Sequence, residues 1–212
     1  PLLRRSFTIR GVVQSAKVYA TALGLYALYV NGSRVGEALF TPGWTSYWDR
    51  LQYQTYDVSV LLREGENVVG AVLGNGWYAG YIAWGGDRGY YGDRRALLLQ
   101  MHVRYADGRE EVIRTDGDWK STDSPIRMSE IYHGETYDAR REKEGWCLPG
   151  YDASNWDNGA FYSHTKDILT AQENLPPKIM EEIHPIAGCR TSMGECVLHF
   201  RQNMVGYVRF SV

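Results

Sequence analysis

Two carboxylates three residues apart, Glu135 and Asp138, stand in the stretch Ile131-Tyr132-His133-Gly134-Glu135-Thr136-Tyr137-Asp138-Ala139-Arg140. Paired acids are what cleavage of a glycosidic bond requires, one to protonate the leaving oxygen and one to activate water or attack. That chemistry depends on the distance between the carboxyl groups, which a spacing of three on a strand or loop does not fix. The competing reading is structural and is preferred: Glu135, Tyr137, Asp138 and Arg140 anchor a loop through hydrogen bonds or an ion pair, because charges drawn into a fold need partners.

A second set of groups suits recognition rather than bond cleavage. Between Gly74 and Arg95 the chain carries six glycines, two Trp and four Tyr, and reads as a long ordered loop. Loops of that length inside compact domains are usually functional or covered by a partner surface. Its Asn75-Gly76-Trp77-Tyr78 turn, with Trp84, Asp87, Arg88, Tyr90 and Tyr91 following, offers aromatic faces for the CH side of a pyranose and polar side chains for its hydroxyls. Asn75, Trp77, Trp84, Asp87, Arg88 and Tyr91 are therefore the candidate carbohydrate-binding residues. Against this stands a nearly balanced alternative, in which Trp77 caps the core and the loop packs on a neighbouring domain. Trp77 is expected in the core, and Trp84, Tyr90 and Tyr91 at the surface. Asn75, Asp87 and Asp93 are hard oxygen donors, so calcium is a weaker candidate occupant of the loop, without any EF-hand pattern.

Other chemistries lack their residues. The five histidines, at 102, 133, 164, 184 and 199, show neither HExxH nor clustered zinc-ligand spacing. GxSxG, GxGxxG and P-loop patterns are absent. Cys147, Cys189 and Cys196 have no CxxC spacing, and their odd number argues against a complete disulfide framework and for a reduced, cytoplasmic setting. With 23 basic and 25 acidic residues, nothing draws the surface to phosphate backbones or anionic lipid, so neither nucleic acid nor membrane is expected as a partner. No apolar run approaches the roughly 20 residues of a membrane helix, and Pro1 to Arg10 lacks the layout of a signal peptide.

The elements that must position these groups are strands. The run Ser15–Gly24 and then Leu25–Val30 precede Asn31-Gly32, two residues that tolerate the positive φ of a hairpin turn. Tyr53–Val60 partly alternates, and Leu61-Leu62-Arg63-Glu64-Gly65-Glu66-Asn67 is a polar turn. Val68–Leu73 is a continuous apolar run that fits a central buried strand. Ala96–Tyr105 ends at Asp107-Gly108, with Glu111–Thr115 as its return. Asp152 to Trp156 reads as a turn that seats Trp156. No long segment has a helical period. The fold class is therefore all-β, an antiparallel β-sandwich with jelly-roll or galactose-binding-like topology. Residues 1–163 form this domain, 164–178 a linker ending in Pro-Pro, and 179–212 the start of a second β-sandwich module, too short to be self-sufficient.

Several blocks together resemble the N-terminal domain of bacterial α-L-rhamnosidases of glycoside hydrolase family 78. They are Ala22-Leu23-Gly24-Leu25-Tyr26, Tyr29-Val30-Asn31-Gly32, Thr41-Pro42-Gly43-Trp44-Thr45-Ser46-Tyr47 and Tyr53-Gln54-Thr55-Tyr56-Asp57-Val58. Glu64-Gly65-Glu66-Asn67, Gly74-Asn75-Gly76-Trp77-Tyr78-Ala79-Gly80, the Ile131–Arg140 block and the Trp156 turn complete the set. Downstream, Gln202-Asn203-Met204-Val205-Gly206 is similar to the strand that opens the family's next β-sandwich, although Arg201 replaces its usual Gly and His199 a common Asp. The resemblance implies a parent protein that hydrolyses terminal α-L-rhamnosyl groups with inversion. It also implies that the catalytic acids lie on a downstream α/α-barrel domain.

The expectation is accordingly a non-catalytic accessory module that needs no cofactor. It packs on that catalytic barrel, binds rhamnose-containing glycans, or both. The rival is that this chain is itself a glycoside hydrolase using Glu135 and Asp138.

Overall fold

The computed structural model describes residues 1–82 and 86–209. In chain order the first strands are β1 (Leu2–Ile9), β2 (Val13–Leu23), β3 (Leu25–Val30), β4 (Ser33–Arg34), β5 (Leu51–Asp57) and β6 (Gly65–Gly74). A single helical turn, α1 (Gly76–Ala79), and the short pair β7 (Tyr81–Ile82) and β8 (Asp87–Arg88) follow. Next come β9 (Ala96–Tyr105), β10 (Glu110–Arg114), β11 (Lys120–Thr122), β12 (Ile126–Glu130), β13 (Gly134–Tyr137), β14 (Asp157–Asn158) and β15 (Leu169–Ala171). The last two are β16 (Ala187–Arg190) and β17 (Cys196–His199).

Two sheets make the sandwich, one ordered β14-β11-β1-β6-β3-β4 and the other β10-β9-β2-β5-β15. Alternation drives their packing. In β2 and β9 every second residue points inward, and Ala16, Val18, Leu99, Met101 and Val103 are at most 1% exposed. They meet Ile9, Leu28, Val30, Val69 and Ala71 of the other sheet in one apolar core. The β3–β4 turn uses Asn31 and Gly32 at φ 50° and 83°, as the Asn-Gly pair requires.

Strand β6 lies between β1 and β3 and is covered on both faces, which explains why its sequence is continuously apolar rather than alternating. Its outer cover is the segment after β13. Leu2, Ala153 and Trp156 form a cluster there with Val72, Trp146 and Tyr151.

Three segments differ from the sequence reading. β1 was not anticipated, because Arg4 and Arg5 interrupt its apolar run. Arg4 is nonetheless only 5% exposed, since its guanidinium donates to the carbonyls of Tyr151 and Leu148, each 3.3 Å away. The turn read over residues 61–67 ends earlier, at Glu64, because β6 begins at Gly65. Residues 164–178, read as a linker, contain β15, which runs parallel to β5 and joins the second sheet. The first compact unit consequently runs from Pro1 to Pro177 rather than ending at 163.

The second unit, Lys178–Val212, is described through Arg209 and contains the antiparallel hairpin β16–β17. Cys189 faces Val197 and Arg190 faces Cys196, so the two cysteines project to opposite faces of the hairpin. Both thiols are free, as is the buried Cys147. Among the described residues no helix is long and apolar enough to cross a membrane.

Candidate functional site

The loop between β6 and β9 is more structured than its glycine content suggests. Asn75 leads into α1, Gly80 ends it, and the β7–β8 pair brings Tyr81 opposite Arg88 and Ile82 opposite Asp87. Tyr78 and Ala79 of α1 enter a second apolar cluster with Leu23, Tyr47, Leu51 and Ile168, and this fixes the base of the loop.

Two groupings result. The first is polar and centres on Glu130 at the end of β12, a residue the sequence reading did not single out. Its side chain is 3% exposed. It accepts hydrogen bonds from Asn75 Nδ2 at 2.8 Å and from the Tyr81 backbone N–H at 3.1 Å. Arg88 Nη2 lies 3.6 Å from the same carboxylate, at the distance of a loose ion pair. Beside it, the His133 and Tyr81 rings meet edge to face at 4.8 Å.

The second grouping is aromatic, and half of it comes from the turn between β4 and β5. Trp44 stacks on Trp77, and Phe40 lies 6.0 Å from the same Trp77 ring. Trp48 packs 4.9 Å from Tyr90 and 4.7 Å from Tyr91, while Tyr47 meets Tyr91 edge-on at 4.9 Å. The turn is held by its own bonds: Tyr47 donates to the Gly43 carbonyl at 2.6 Å, Thr45 to the Arg50 carbonyl, and Ser46 to Asp49. Phe40, Trp44, Trp48 and Tyr90 each remain about half exposed. Flat apolar faces fixed by neighbours and open to solvent can stack on another flat apolar surface.

The structure thus brings Asn75 and Arg88 together through Glu130, and Trp77 and Tyr91 into the aromatic grouping. Trp77 is half-buried, packed against the second apolar cluster and stacked under Trp44, and Tyr91 is half-buried against Tyr47. Asp87 and Asp93 are exposed. Trp84 lies outside the described residues. Asn75 turns its amide N–H toward Glu130, and among the described residues no three His, Cys, Asp or Glu side chains converge as cation ligands.

Phe40, Trp44, Trp48 and Glu130 escaped the sequence reading. The Trp-rich turn was visible as part of a family block, and only the fold shows that it abuts the loop. A cavity of about 440 Å³ elsewhere opens between the sheets, lined by Leu23, Leu73, Leu97, Trp119 and Phe161, and includes none of the loop candidates.

The Glu135 and Asp138 pair occupies a surface hairpin. Glu135 is exposed in β13. Asp138 caps a 3-10 turn at Ala139–Arg141, accepting from the Arg140 N–H at 3.2 Å and from its guanidinium at 2.8 and 2.9 Å. Hydrogen bonding by Arg140 holds the Asp138 carboxyl below the usual carboxylate range. A carboxyl so held stays ionised and is poorly suited to act as a general acid near neutral pH. Tyr137 donates to Glu142 at 2.5 Å, which pushes the phenol up to about 12.

The family model described as the α-L-rhamnosidase N-terminal domain matches residues 11–181. An α-L-rhamnosidase of Streptomyces avermitilis is 44% identical over 202 residues, covering 94% of this chain and 19% of that protein. The crystal structure of a native α-L-rhamnosidase from Aspergillus terreus superposes with a TM-score of 0.92 at 39% identity, over 96% of this chain and 24% of that one. The S. avermitilis α-L-rhamnosidase solved in complex with L-rhamnose gives a TM-score of 0.89 at 40% identity, over 96% and 20% respectively. The chain therefore spans about a fifth of the length of these proteins.

Proposed function

Because this chain belongs to the α-L-rhamnosidase N-terminal domain family, we propose that it is a non-catalytic accessory module of a longer enzyme that hydrolyses terminal α-L-rhamnosyl linkages with inversion. It holds rhamnosylated carbohydrate near a catalytic α/α-barrel domain carried by the rest of that polypeptide. The observation that carries the reading is the pairing of open aromatic faces, Trp44 on Trp77 and Trp48 beside Tyr90 and Tyr91, with the polar cluster of Asn75 and Arg88 on one loop. Stacking supplies area while the amide and guanidinium supply orientation, the division of labour found in small-ligand sites. A tethered site of this kind acts by effective concentration and needs no chemistry of its own.

L-rhamnose is the first probe, since a relative was solved with it. Titration calorimetry is expected to show weak binding that Trp77→Ala and Arg88→Ala each reduce. Unchanged affinity in both variants would misplace the site. If the unaltered chain shows no affinity, the aromatic faces serve a second reading, in which the half-exposed Phe40, Trp44, Trp48 and Tyr90 dock against the catalytic domain. The hydrolase alternative is tested in parallel with p-nitrophenyl α-L-rhamnoside, from which this chain is expected to release no p-nitrophenol. The engagement of Asp138 by the Arg140 guanidinium supports that expectation.

A further inference from the structure

Among the described residues Glu130 is the only buried carboxylate. It belongs to β12, outside the loop, yet its two oxygens meet three separate points of it. Oε1 accepts from Asn75 at the loop's start and faces Arg88 in β8, while Oε2 accepts from the Tyr81 N–H in β7. A Cβ at residue 80 would stand 2.4 Å from Glu130 Oε2 and 2.3 Å from the Gly76 carbonyl, so this approach requires glycine there. Burying a carboxylate is costly unless its charge and lone pairs are met. Here the loop meets them, so any shift of the loop would strand the charge.

The same contact orients Asn75. An ionised carboxylate only accepts hydrogen bonds, so the NH2 side of the amide turns to Glu130. Oδ1 is then the acceptor atom of an amide on a residue that is 8% exposed. A sugar hydroxyl meeting Asn75 would act as the donor.

We propose that Glu130 is the positioning residue of the candidate site: it fixes Asn75, Tyr81 and Arg88 relative to β12 and turns the Asn75 amide so that its oxygen, the group's acceptor, points away from the carboxylate. The ligand half of this statement rests on the carbohydrate reading above, whereas the positioning half does not. Site-resolved hydrogen exchange on the chain, E130A and E130Q, combined with calorimetry against L-rhamnose, separates the two. In E130A the Tyr81 amide is expected to exchange roughly tenfold faster while the amides of β2 and β9 keep their protection. L-rhamnose affinity should fall by about tenfold, because the cluster that orients Asn75 is gone. E130Q keeps one acceptor oxygen and should fall between the two, which also covers the case in which E130A fails to fold. Unchanged Tyr81 protection in E130A, or uniform loss of protection across the fold in both variants, would overturn the proposal. Absence of L-rhamnose binding by the unaltered chain would instead remove the carbohydrate reading and leave the exchange data to decide the positioning.

Discussion

Trp44 lies flat on Trp77, with the ring planes 6° apart and the centroids 5.6 Å apart. One face of the Trp44 indole is covered by protein, and the residue is still 51% exposed, so the opposite face is presented at a fixed angle. The two residues come from segments on either side of β5 and β6. Their contact ties the turn before β5 to the loop after β6.

Replacing Trp44 by Ala is expected to cost little stability, because the offset stack contributes about 0.5–1.5 kcal/mol beyond buried area. The functional loss should be larger: affinity for L-rhamnose falls severalfold, and Trp77 fluorescence shifts to the red as its covered face meets water. Calorimetry and emission spectra on the same sample check both. Equal affinity alongside the red shift would take Trp44 out of the sugar site.

Glycine 70 of β6 marks where the outer cover presses on the sheet. A Cβ there would sit 2.5 Å from the Trp146 ring and 2.9 Å from Cys147 Sγ. Gly70→Ala is therefore an overpacking change, expected to cost about 1–3 kcal/mol in chemical denaturation. Gly117→Ala serves as its control, since the nearest atom would be 3.9 Å away, and should stay within about 0.5 kcal/mol. A neutral Gly70→Ala would mean that Trp146 yields easily and that the cover is loosely held.

How far the sequence could be read depends on how local the physics was. Strand β9 was legible to its ends, since Ala96–Tyr105 alternates toward Tyr105 and Asp107-Gly108 closes it. The β3–β4 turn was legible because Asn31-Gly32 carries its own backbone preference. β1 was not, because Arg4 is buried only by carbonyls 144 and 147 residues away. The same holds for β15, three residues long and paired in parallel with β5 from a distant part of the chain. In the candidate site, Asn75, Trp77 and Tyr91 were recognisable by residue type. Glu130 was not, since a lone Glu reads as a surface residue until Asn75 and Tyr81 arrive from 55 and 49 positions earlier.

Cys147 should be chemically silent in the folded chain. Burial pushes its thiol up to about 11, only partly offset by the Gly32 backbone and Arg4. Iodoacetamide at about pH 8 is expected to label Cys189 and Cys196, which are exposed, and to spare Cys147. The unfolded thiol loses its proton near about 8.5, whereas the folded one keeps it to about 11. The associated stability is fully present below about pH 8.5 and is lost as pH rises toward 11. Urea midpoints for the chain and Cys147→Ala should converge over that window. Mass spectra with three labels under native conditions would show the outer cover to be open.

Asn31 in the β3–β4 turn and Asn67, just past the turn that leads into β6, share one partly buried network. Asn31 Nδ2 donates to Asn67 Oδ1 at 2.8 Å and to the Leu61 carbonyl, and its Oδ1 accepts from the Val68 N–H. Asn67, fully buried, donates to the carbonyls of Arg63 and Gly65 and accepts from the Arg63 N–H. Asn67→Ala would strand several of these groups, each at about 1–3 kcal/mol when left unpaired in the interior. Asn31→Gly keeps the backbone free to adopt the φ of 50° and so isolates the hydrogen bonds from the turn. If the amides act as one unit, the double variant should lose less than the sum of the singles, with a coupling energy of about 0.5–3 kcal/mol. Strict additivity in denaturation experiments would mean that the two turns fold independently and that the amide contact between them contributes nothing of its own.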